Sequence, residues 1–345
     1  MIIQKDMVID AFPGFNEVEL AEFRISYLKD VVDKVIIVES ELTHSGLSKP
    51  LYFANWLANQ SQSMKDRILV INVDLSNFAT SWEREIHTRE FLFDYVSQKY
   101  PMARYILSDL DEIPSKSQVL NLRSSTGNFH FHTPTSYRRL NWQLSDSHAK
   151  WKLGVMGQVS ENREPNAGRF TKFPLIPGDS GAHFSYLGSG SKGITEKYIA
   201  FAHTELNKKY WTSEKLMAYC DRYRIDHLGR SRSEGSGIFK VSRDNKNDVV
   251  ESARRYFPQY FDLALDLPNI FMRFIASIRV SSYVGEGRIS QTQQRFIQPE
   301  VFFSSRSPLV QIGPILEGMM TILAQLKLVS SDLKMRVIRT GRFDG

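Results

Sequence analysis

Apolar runs of strand length alternate with amphipathic helical patterns through the first 107 residues of the chain. The predicted strands are residues 7–12, 35–38, 68–73 and the run that ends at Leu107, and the predicted helices are 16–31, 52–62 and 82–100. Strands that alternate with helices favour right-handed crossovers and a mainly parallel sheet. The sequence therefore predicts an α/β fold with a Rossmann-like sheet, covered by helices on both faces, of the kind that binds nucleotides.

Local signals add detail to two of these helices. Asn16 followed by Glu19 resembles a capping box at the start of the first helix. In the third helix the residues at helical spacing, predicted to face inward, are Trp82, Ile86, Phe93 and Val96.

Three acids follow the fourth strand within four positions, in the segment Ser108-Asp-Leu-Asp-Glu-Ile-Pro114. Asp109 and Asp111 flank one residue, so in extended backbone both carboxylates would share a face and could bind one divalent cation. Carboxylate oxygens favour Mg²⁺ or Mn²⁺, which in turn favours a substrate with a diphosphate. An isolated Asp-x-Asp pair is more often a solvated acidic turn. These acids, however, follow a strand of an α/β sheet, where ligands of such sheets bind.

Composition narrows the class of protein. The 345 residues carry a net charge of +6, which can attract an anionic donor, nucleic acid or acidic lipid. No dense run of Lys and Arg supports nucleic acid as the partner. Cys220 is the single cysteine, which excludes an intrachain disulfide and favours a reducing compartment. Without a signal peptide or an apolar run of about twenty residues, the sequence predicts a cytoplasmic protein with no transmembrane segment.

The pattern changes after Pro114. Phe129, Phe131 and Thr133 alternate with His130 and His132, which predicts a half-exposed strand with the histidines facing outward. A further strand is predicted over 182–187, followed by the glycine-rich run 188–193. This run matches G-x-G-x-x-G, but its position late in the chain favours a flexible loop over a dinucleotide fingerprint.

The chain is predicted to have two parts. Residues 1–235 would form the α/β domain, with a nucleotide half (1–115) and an acceptor half (116–235). Residues 236–345 would form a largely helical extension. Its apolar stretch 312–328 is interrupted by charged and amide side chains, which argues against a membrane span. It is predicted to be a packed helix or a contact between subunits of a homo-oligomer, with peripheral membrane contact as the alternative.

Seven stretches between residues 7 and 230 occur together in a fixed order. They are Asp10-Ala-Phe-Pro13 with Asn16-Glu17, Asp30 to Glu39, Thr43-His-Ser-Gly46 with Lys49 to Phe53, Trp82-Glu-Arg-Glu85 with Arg89, Ser108 to Pro114, His183 to Gly188, and Phe201 to Glu205. In this order they resemble glycosyltransferase family 17, whose best-known members are β-1,4-mannosyl-glycoprotein β-1,4-N-acetylglucosaminyltransferases. Two positions differ from the expected pattern: Glu90 stands in place of Asn, and Ala182 in place of Trp.

The resemblance implies a GT-A-like fold, a metal bound through Asp109 and Asp111, and inversion at the sugar carbon. The implied reaction moves a sugar, foremost N-acetylglucosamine from UDP-GlcNAc, to a hydroxyl of a glycan or lipid-linked saccharide. The metal, Mn²⁺ or Mg²⁺, would neutralise the charge of the departing diphosphate. His183 is predicted to complete the metal site or to contact the diphosphate, with a core histidine as the alternative.

The remaining site residues follow from the same hypothesis. Those predicted to bind the donor are Asp10, Phe12, Glu39, His44, Lys49, Arg84, Arg89, Ser108 and Asp109. Arg84 or Arg89 would clamp the diphosphate, although Arg89 could instead pair with Glu85 one helical turn away. Asp111 is placed in the catalytic centre, and the candidates for the general base are Glu205, Asp179 and Glu112.

Two other functions stay open at this point. A sugar-phosphate nucleotidyltransferase would use the same metal and nucleotide, but such enzymes begin with a glycine-rich phosphate loop that is missing between Asp10 and Asn16. A catalytically silent glycan-binding or assembly module on a transferase fold is the second alternative.

Overall fold

The structure is a computed structural model, and it describes residues 7–144, 154–159, 172–202, 213–228, 238–241, 247–263 and a few positions between 268 and 280. The chain divides into two compact units, one of residues 1–207 with 240–263 and the other of residues 208–239 with 264–345. The predicted base Glu205 and the predicted helix at 312–328 lie outside the described residues. The predicted domain boundary at residue 235 stays a prediction.

Strands and helices alternate through the first half of the chain, as predicted. The strands are β1 (Val8–Pro13), β2 (Lys34–Glu39), β3 (Ile68–Asn72), β4 (Arg104–Leu107), β5 (Glu112–Ile113), β6 (Asn128–His130), β7 (Thr135–Tyr137), β8 (Trp142–Gln143), β9 (Val155–Gln158), β10 (Ala182–Ser185) and β11 (Lys240–Val241). The α-helices are α1 (Val18–Leu28), α2 (Tyr52–Ala58), α3 (Gln62–Arg67), α4 (Ser81–Lys99), α5 (Lys116–Ser124), α6 (Ser191–Ala200), α7 (Glu214–Tyr223) and α8 (Asp248–Tyr256). A 3₁₀ turn follows at Pro258–Tyr260.

The first sheet has six strands in the order β3-β2-β1-β4-β9-β6. The four strands β3, β2, β1 and β4 are parallel, and their order is that of a nucleotide-binding half-sheet. β9 runs antiparallel to both β4 and β6, so the sheet as a whole is mixed. The prediction of an α/β fold is confirmed.

Side chains of β1 alternate between two hydrophobic cores, one on each face of this sheet. Val8 and Phe12 belong to the core that includes α1, whereas Ile9 and Ala11 belong to the core that includes α4. Helices therefore cover both faces, as predicted. Asp10, between Ile9 and Ala11, points to the α1 face together with Val8 and Phe12.

Several local predictions are wrong for identifiable reasons. α1 begins at Val18 without a side-chain cap, so Asn16 does not cap it. The predicted helix 52–62 is two helices, because Ser61 caps α3 through the amide of Met64. At the start of α4, Trp82 and Ile86 are 46% and 45% exposed, and only the later part of the stripe is buried. The inward-facing prediction fails there because the first turns of α4 extend past the core.

The second sheet has five strands in the order β11-β8-β7-β10-β5. β10 is antiparallel to β5, and this register sets His183 opposite Glu112. The sheet therefore brings a histidine from late in the chain next to the acids that follow β4. His130 is buried, contrary to the predicted outward position, and its ring lies 5.5 Å from that of Phe173.

Candidate active site

The acids after β4 lie in a tight turn that connects β4 to β5. The amide of Glu112 donates to the carbonyl of Asp109 at 3.0 Å, and the carboxylate of Glu112 accepts from the amide of Asp109 at 3.1 Å. The expectation of extended backbone from Asp109 to Asp111 is therefore wrong. Because the chain turns between them, the two aspartates have different partners.

A buried arginine holds this turn in place. Arg24 of α1 forms a two-point ion pair with Asp10 of β1, at 2.8 and 2.5 Å. Its Nη1 lies within 3.1 Å of the carbonyl oxygens of Asp109, Leu110 and Glu112, and its Nη2 donates to Oγ of Ser108 at 3.0 Å. Arg24 and Asp10 are both fully buried. The guanidinium thus joins the first strand to the acidic turn.

Asp109 faces α4. Its Oδ1 lies 2.5 Å from Nη2 of Arg89, and the same nitrogen lies 3.5 Å from Oε1 of Glu85. The two pairings considered for Arg89 from the sequence therefore occur together. The side chain of Asp109 stays 34% exposed, so it can still contact a ligand.

A loop between β2 and α2 lies against the start of α4. Nη1 of Arg84 donates to the carbonyl of His44 at 3.0 Å, and the guanidinium stacks on Gly46. Gly46 has a φ of +91°, and a Cβ there would be 3.3 Å from the guanidinium carbon. Glycine is therefore required both for the turn and for the close approach.

The electrostatic environment of His44 is cationic. Burial, together with the charges of Arg89, Lys49 and Arg84, lowers the pKa of His44 to about 4. Burial also lowers the pKa of Lys49, which lies 4.0 Å from Glu39. His44 is therefore neutral at neutral pH, and Arg84, Arg89 and Lys49 offer positive charge to an anionic group such as a diphosphate, although Glu39, Glu85 and Asp109 lie against two of these cations.

Asp111 faces the second sheet and α6. Its Oδ2 lies 3.6 Å from Nε2 of His183 and 3.7 Å from Nζ of Lys197. Burial alone would raise the pKa of Asp111, but the charges of His183 and Lys197 lower it. Burial opposes protonation of His183, whereas Asp111 and Glu112 raise its pKa above the ordinary value. The aspartate is thus held ionised.

Lys197 links Asp111 to the start of α1. Its ammonium lies 3.3 Å from Oε1 of Glu17 and close to two aromatic rings, those of Tyr186 at 5.0 Å and Phe201 at 5.1 Å. Burial disfavours the charge, but Glu17 and Asp111 raise the pKa of Lys197. Lys197 is therefore a permanent cation between two carboxylates.

Asp111 and Lys197 line a cavity of about 330 Å³. Its aromatic walls are Phe15, Phe184, Tyr186, Phe257 and Tyr260, and its acids besides Asp111 are Glu17, Glu19 and Glu196. With four carboxylates and one lysine, the lining is acidic, in contrast to the cationic cluster at His44. The two regions meet at Phe15 and Phe201, whose ring centres lie 5.5 Å apart. Phe15 contacts Lys49 of the cationic cluster, and Phe201 contacts Lys197 of the cavity.

Several predicted site residues have contacts within the protein. The carboxylate of Glu39 accepts from the amides of Phe53 and Ala54, at the start of α2. Phe12 is buried beneath Arg24, whose guanidinium carbon lies 4.5 Å from the ring centre. Asp179 bonds through its amide to Ser117, in the first turn of α5. The structure therefore brings together Asp109, Asp111, His183 and the cationic cluster, but not Asp179.

The side chains around Asp111 include few donor atoms for a divalent cation. Among the described residues, no three His, Cys, Asp or Glu side chains form a cluster that could hold a metal alone. Asp111 and His183 nevertheless present an oxygen and a ring nitrogen to each other. Mg²⁺ is usually held by one or two carboxylates and completed by substrate phosphates. The donors present therefore fit a divalent cation through the carboxylate of Asp111, with His183 as a second ligand in its neutral form.

The chain is similar to known proteins. The sequence profile of glycosyltransferase family 17 matches residues 2–222, more than half of the chain, and the chain belongs to this family. It is 31% identical over 147 residues to the human and to the rat β-1,4-mannosyl-glycoprotein 4-β-N-acetylglucosaminyltransferase. These matches cover 39% of this chain, but only 28% of the human and 27% of the rat protein.

In the described part of the chain, no helix combines the length and hydropathy of a bilayer span.

Sequence reasoning missed three residues that organise the site. Arg24 lies among the apolar residues of α1, and an arginine beside Phe23 within a buried stripe is the sequence signal that could have identified it. Glu17 belongs to a matching stretch, but its local sequence gives no sign of a role in the site. Lys197 stands outside all seven stretches, and its position next to Asp111 depends on the packing of α6, which local patterns do not reveal.

Proposed function

We propose that the chain is a metal-dependent inverting glycosyltransferase of GT-A-like fold. It would transfer N-acetylglucosamine from UDP-GlcNAc to a hydroxyl of a glycan or lipid-linked saccharide. The observation that carries this proposal is the acidic turn after β4. Arg24 connects this turn to β1 through hydrogen bonds, and within the turn Asp111 points toward His183. Family membership supports the class of reaction.

The donor would lie at the carboxyl ends of β1, β2 and β4. Ligands of such sheets bind at this edge. The cationic cluster of Lys49, Arg84 and Arg89 would attract the diphosphate, and the neutral His44 beside it would offer a ring nitrogen for a hydrogen bond. Arg89 would hold Asp109 in place through its short ion pair.

Asp111 and His183 would hold Mn²⁺ or Mg²⁺. When bound, the cation would neutralise the negative charge that develops on the departing diphosphate. Lys197 would keep Asp111 ionised and correctly placed before the cation and nucleotide arrive. A cytosolic location, contact with a membrane surface and self-association through residues 236–345 remain part of the proposal.

The proposal is tested by release of nucleoside diphosphate. Purified protein with Mn²⁺ is incubated with UDP-GlcNAc, other UDP-sugars and GDP-mannose, and free UDP or GDP is measured. We expect release from UDP-GlcNAc and at least a 100-fold lower rate for Asp111→Asn. Asp30→Asn, at an exposed surface pair, serves as the control and should retain the wild-type rate.

Two results would contradict the proposal. Binding of UDP-sugars without any release would favour a silent glycan-binding module. Release of pyrophosphate from UTP and a sugar phosphate, with no turnover of UDP-sugars, would favour the nucleotidyltransferase.

A further inference from the structure

We infer that Glu17 is the general base that deprotonates the acceptor hydroxyl in the cavity beside Asp111. The inference rests on the proposed function, because it assigns a role within the same transfer. An inverting transfer needs a carboxylate that faces the approaching hydroxyl near the reacting carbon.

The position of Glu17 meets this requirement. Its side chain is 27% exposed and lines the cavity that also reaches Asp111. Lys197 lies between the two carboxylates, at 3.3 Å from Glu17 and 3.7 Å from Asp111. At 3.3 and 3.7 Å from the same ammonium, the carboxylates of Glu17 and Asp111 lie no more than about 7 Å apart. Because both also line the cavity, a hydroxyl in the cavity can reach Glu17 while it approaches a sugar held beside Asp111.

The described candidates chosen from the sequence are less suitable. The carboxylate of Glu112 accepts from the amide of Asp109, and the residue is buried. Asp179 bonds to Ser117 at the start of α5, and it does not line the cavity. Glu17, in contrast, faces the cavity and makes no capping bond to α1. Besides the ion pair with Lys197, its carboxylate accepts a 3.3 Å bond from the amide of Asn16 in an exposed segment.

The charge of the cavity indicates which substrate enters it. Glu17, Glu19 and Glu196 outnumber Lys197, so the lining, apart from Asp111 where the cation would bind, repels a diphosphate, and Arg84 and Arg89 suit that group better. Aromatic walls and carboxylates together suit a sugar ring, which stacks through its C–H face and donates its hydroxyls. The cavity is thus the acceptor side of the site.

The chemical step balances with Glu17 as the proton acceptor. The acceptor oxygen forms a bond to the anomeric carbon while the bond from that carbon to the diphosphate oxygen breaks. The hydroxyl proton moves to the carboxylate of Glu17, and the electron pair of the broken bond leaves with UDP. The products are the new glycoside, UDP and a protonated Glu17, which later releases its proton to water.

The test uses water as the acceptor, so it does not depend on knowledge of the natural one. UDP release from UDP-GlcNAc with Mn²⁺ and UDP binding by calorimetry are measured on the full chain. Glu17→Gln should lower kcat by about 100-fold or more while the Kd of UDP changes by less than about 3-fold. Sodium formate should raise the rate of Glu17→Ala several-fold, because it supplies a carboxylate in the space that the truncation leaves.

Asp66→Asn is the matched carboxylate-to-amide control, since Asp66 is an exposed acid of α3 that does not line the cavity. It should lower kcat by less than about 5-fold. Equal losses in the Glu17 and Asp66 variants, a Glu17→Gln rate near that of the wild type, or no effect of formate would overturn the inference and leave the proposed function standing. A wild-type protein that binds UDP but never releases it from a UDP-sugar would overturn the proposed function itself. Circular dichroism and Tm separate these results from misfolding.

Discussion

Asp10 and Arg24 form a two-point ion pair in the interior, and neither side chain is exposed by more than 1%. The guanidinium of Arg24 connects the first strand to the acidic turn, because it binds Asp10 and also contacts three carbonyl oxygens of residues 109–112. The placement of the candidate catalytic acids therefore depends on Arg24, a fully buried residue.

Arg24→Met should destabilise the protein severely. Removal of one partner leaves Asp10 as an uncompensated buried charge and costs about 3–5 kcal/mol. The free energy of unfolding from urea titration measures this loss. Lys192→Met, which removes an ion pair whose lysine is 92% exposed, should cost less than about 0.5 kcal/mol. Similar costs for the two variants would contradict the role assigned to Arg24.

Arg89→Lys should weaken donor binding without unfolding the protein. Lysine keeps the charge, but its flexible ammonium does not reproduce the guanidinium nitrogen that contacts Asp109 and Glu85 at once. We expect about a 10-fold higher Kd for UDP by calorimetry. Glu85→Gln removes only the longer contact of 3.5 Å and should change the Kd by less than about 2-fold. A larger effect of Glu85→Gln would mean that the helical pair, rather than Asp109, determines the position of Arg89.

Gly46→Ala should reduce both stability and UDP affinity. The left-handed φ of +91° costs about 1–2 kcal/mol for alanine, and the new Cβ presses on the guanidinium of Arg84. Gly190→Ala is the control, because its φ is −85° and no atom lies within 4 Å of the added Cβ. The variants are compared by Tm and by calorimetry. An unchanged UDP affinity in Gly46→Ala would exclude Arg84 from the donor site.

His44 should titrate near pH 4 in the folded protein, in contrast to about 6.5 for an unperturbed histidine. Because the folded pKa is lowered, the unfolded chain binds this proton more readily than the folded one does. The contribution to stability is therefore complete above pH 6.5 and is lost as the pH falls from 6.5 toward 4. Proton NMR of the ring measures the pKa directly, and unfolding of His44→Gln should show a weaker loss of stability over this interval. A ring that titrates near pH 6.5 would contradict the cationic environment.

The fold was more predictable from the sequence than the site. Periodicity located β1 to β4 and the helices between them within a few residues, because burial on both faces of a parallel sheet leaves a strong apolar signal. The resemblance identified Asp109, Asp111 and His183 as neighbours, and the register of β10 against β5 brings His183 to the acids. The turn between the aspartates was not predictable, since Arg24, about 85 positions away, determines its shape.

The ion pair of Glu17 and Lys197 in the cavity was harder still to predict. Glu17 and Lys197 are 180 positions apart, and each resembles an ordinary surface charge in its local sequence. Only the packing of α6 near the start of α1 sets Nζ of Lys197 against Oε1 of Glu17. Tertiary pairs of this kind leave no periodic pattern in the sequence, which offers Glu205, Asp179 and Glu112 as candidate bases instead of Glu17.

The contacts of Arg24 also constrain the order of folding. Its bond to Asp10 spans 14 positions, whereas its bonds to the acidic turn span 84 to 88. The short loop closes at a lower entropic cost, so the ion pair can form early. At that stage three of the five N–H donors of the guanidinium lack their protein acceptors, and they gain them only when β4 docks beside β1. Arrival of the acidic turn then completes the burial of Arg24, and a molecule that has finished folding has its candidate catalytic acids already in position.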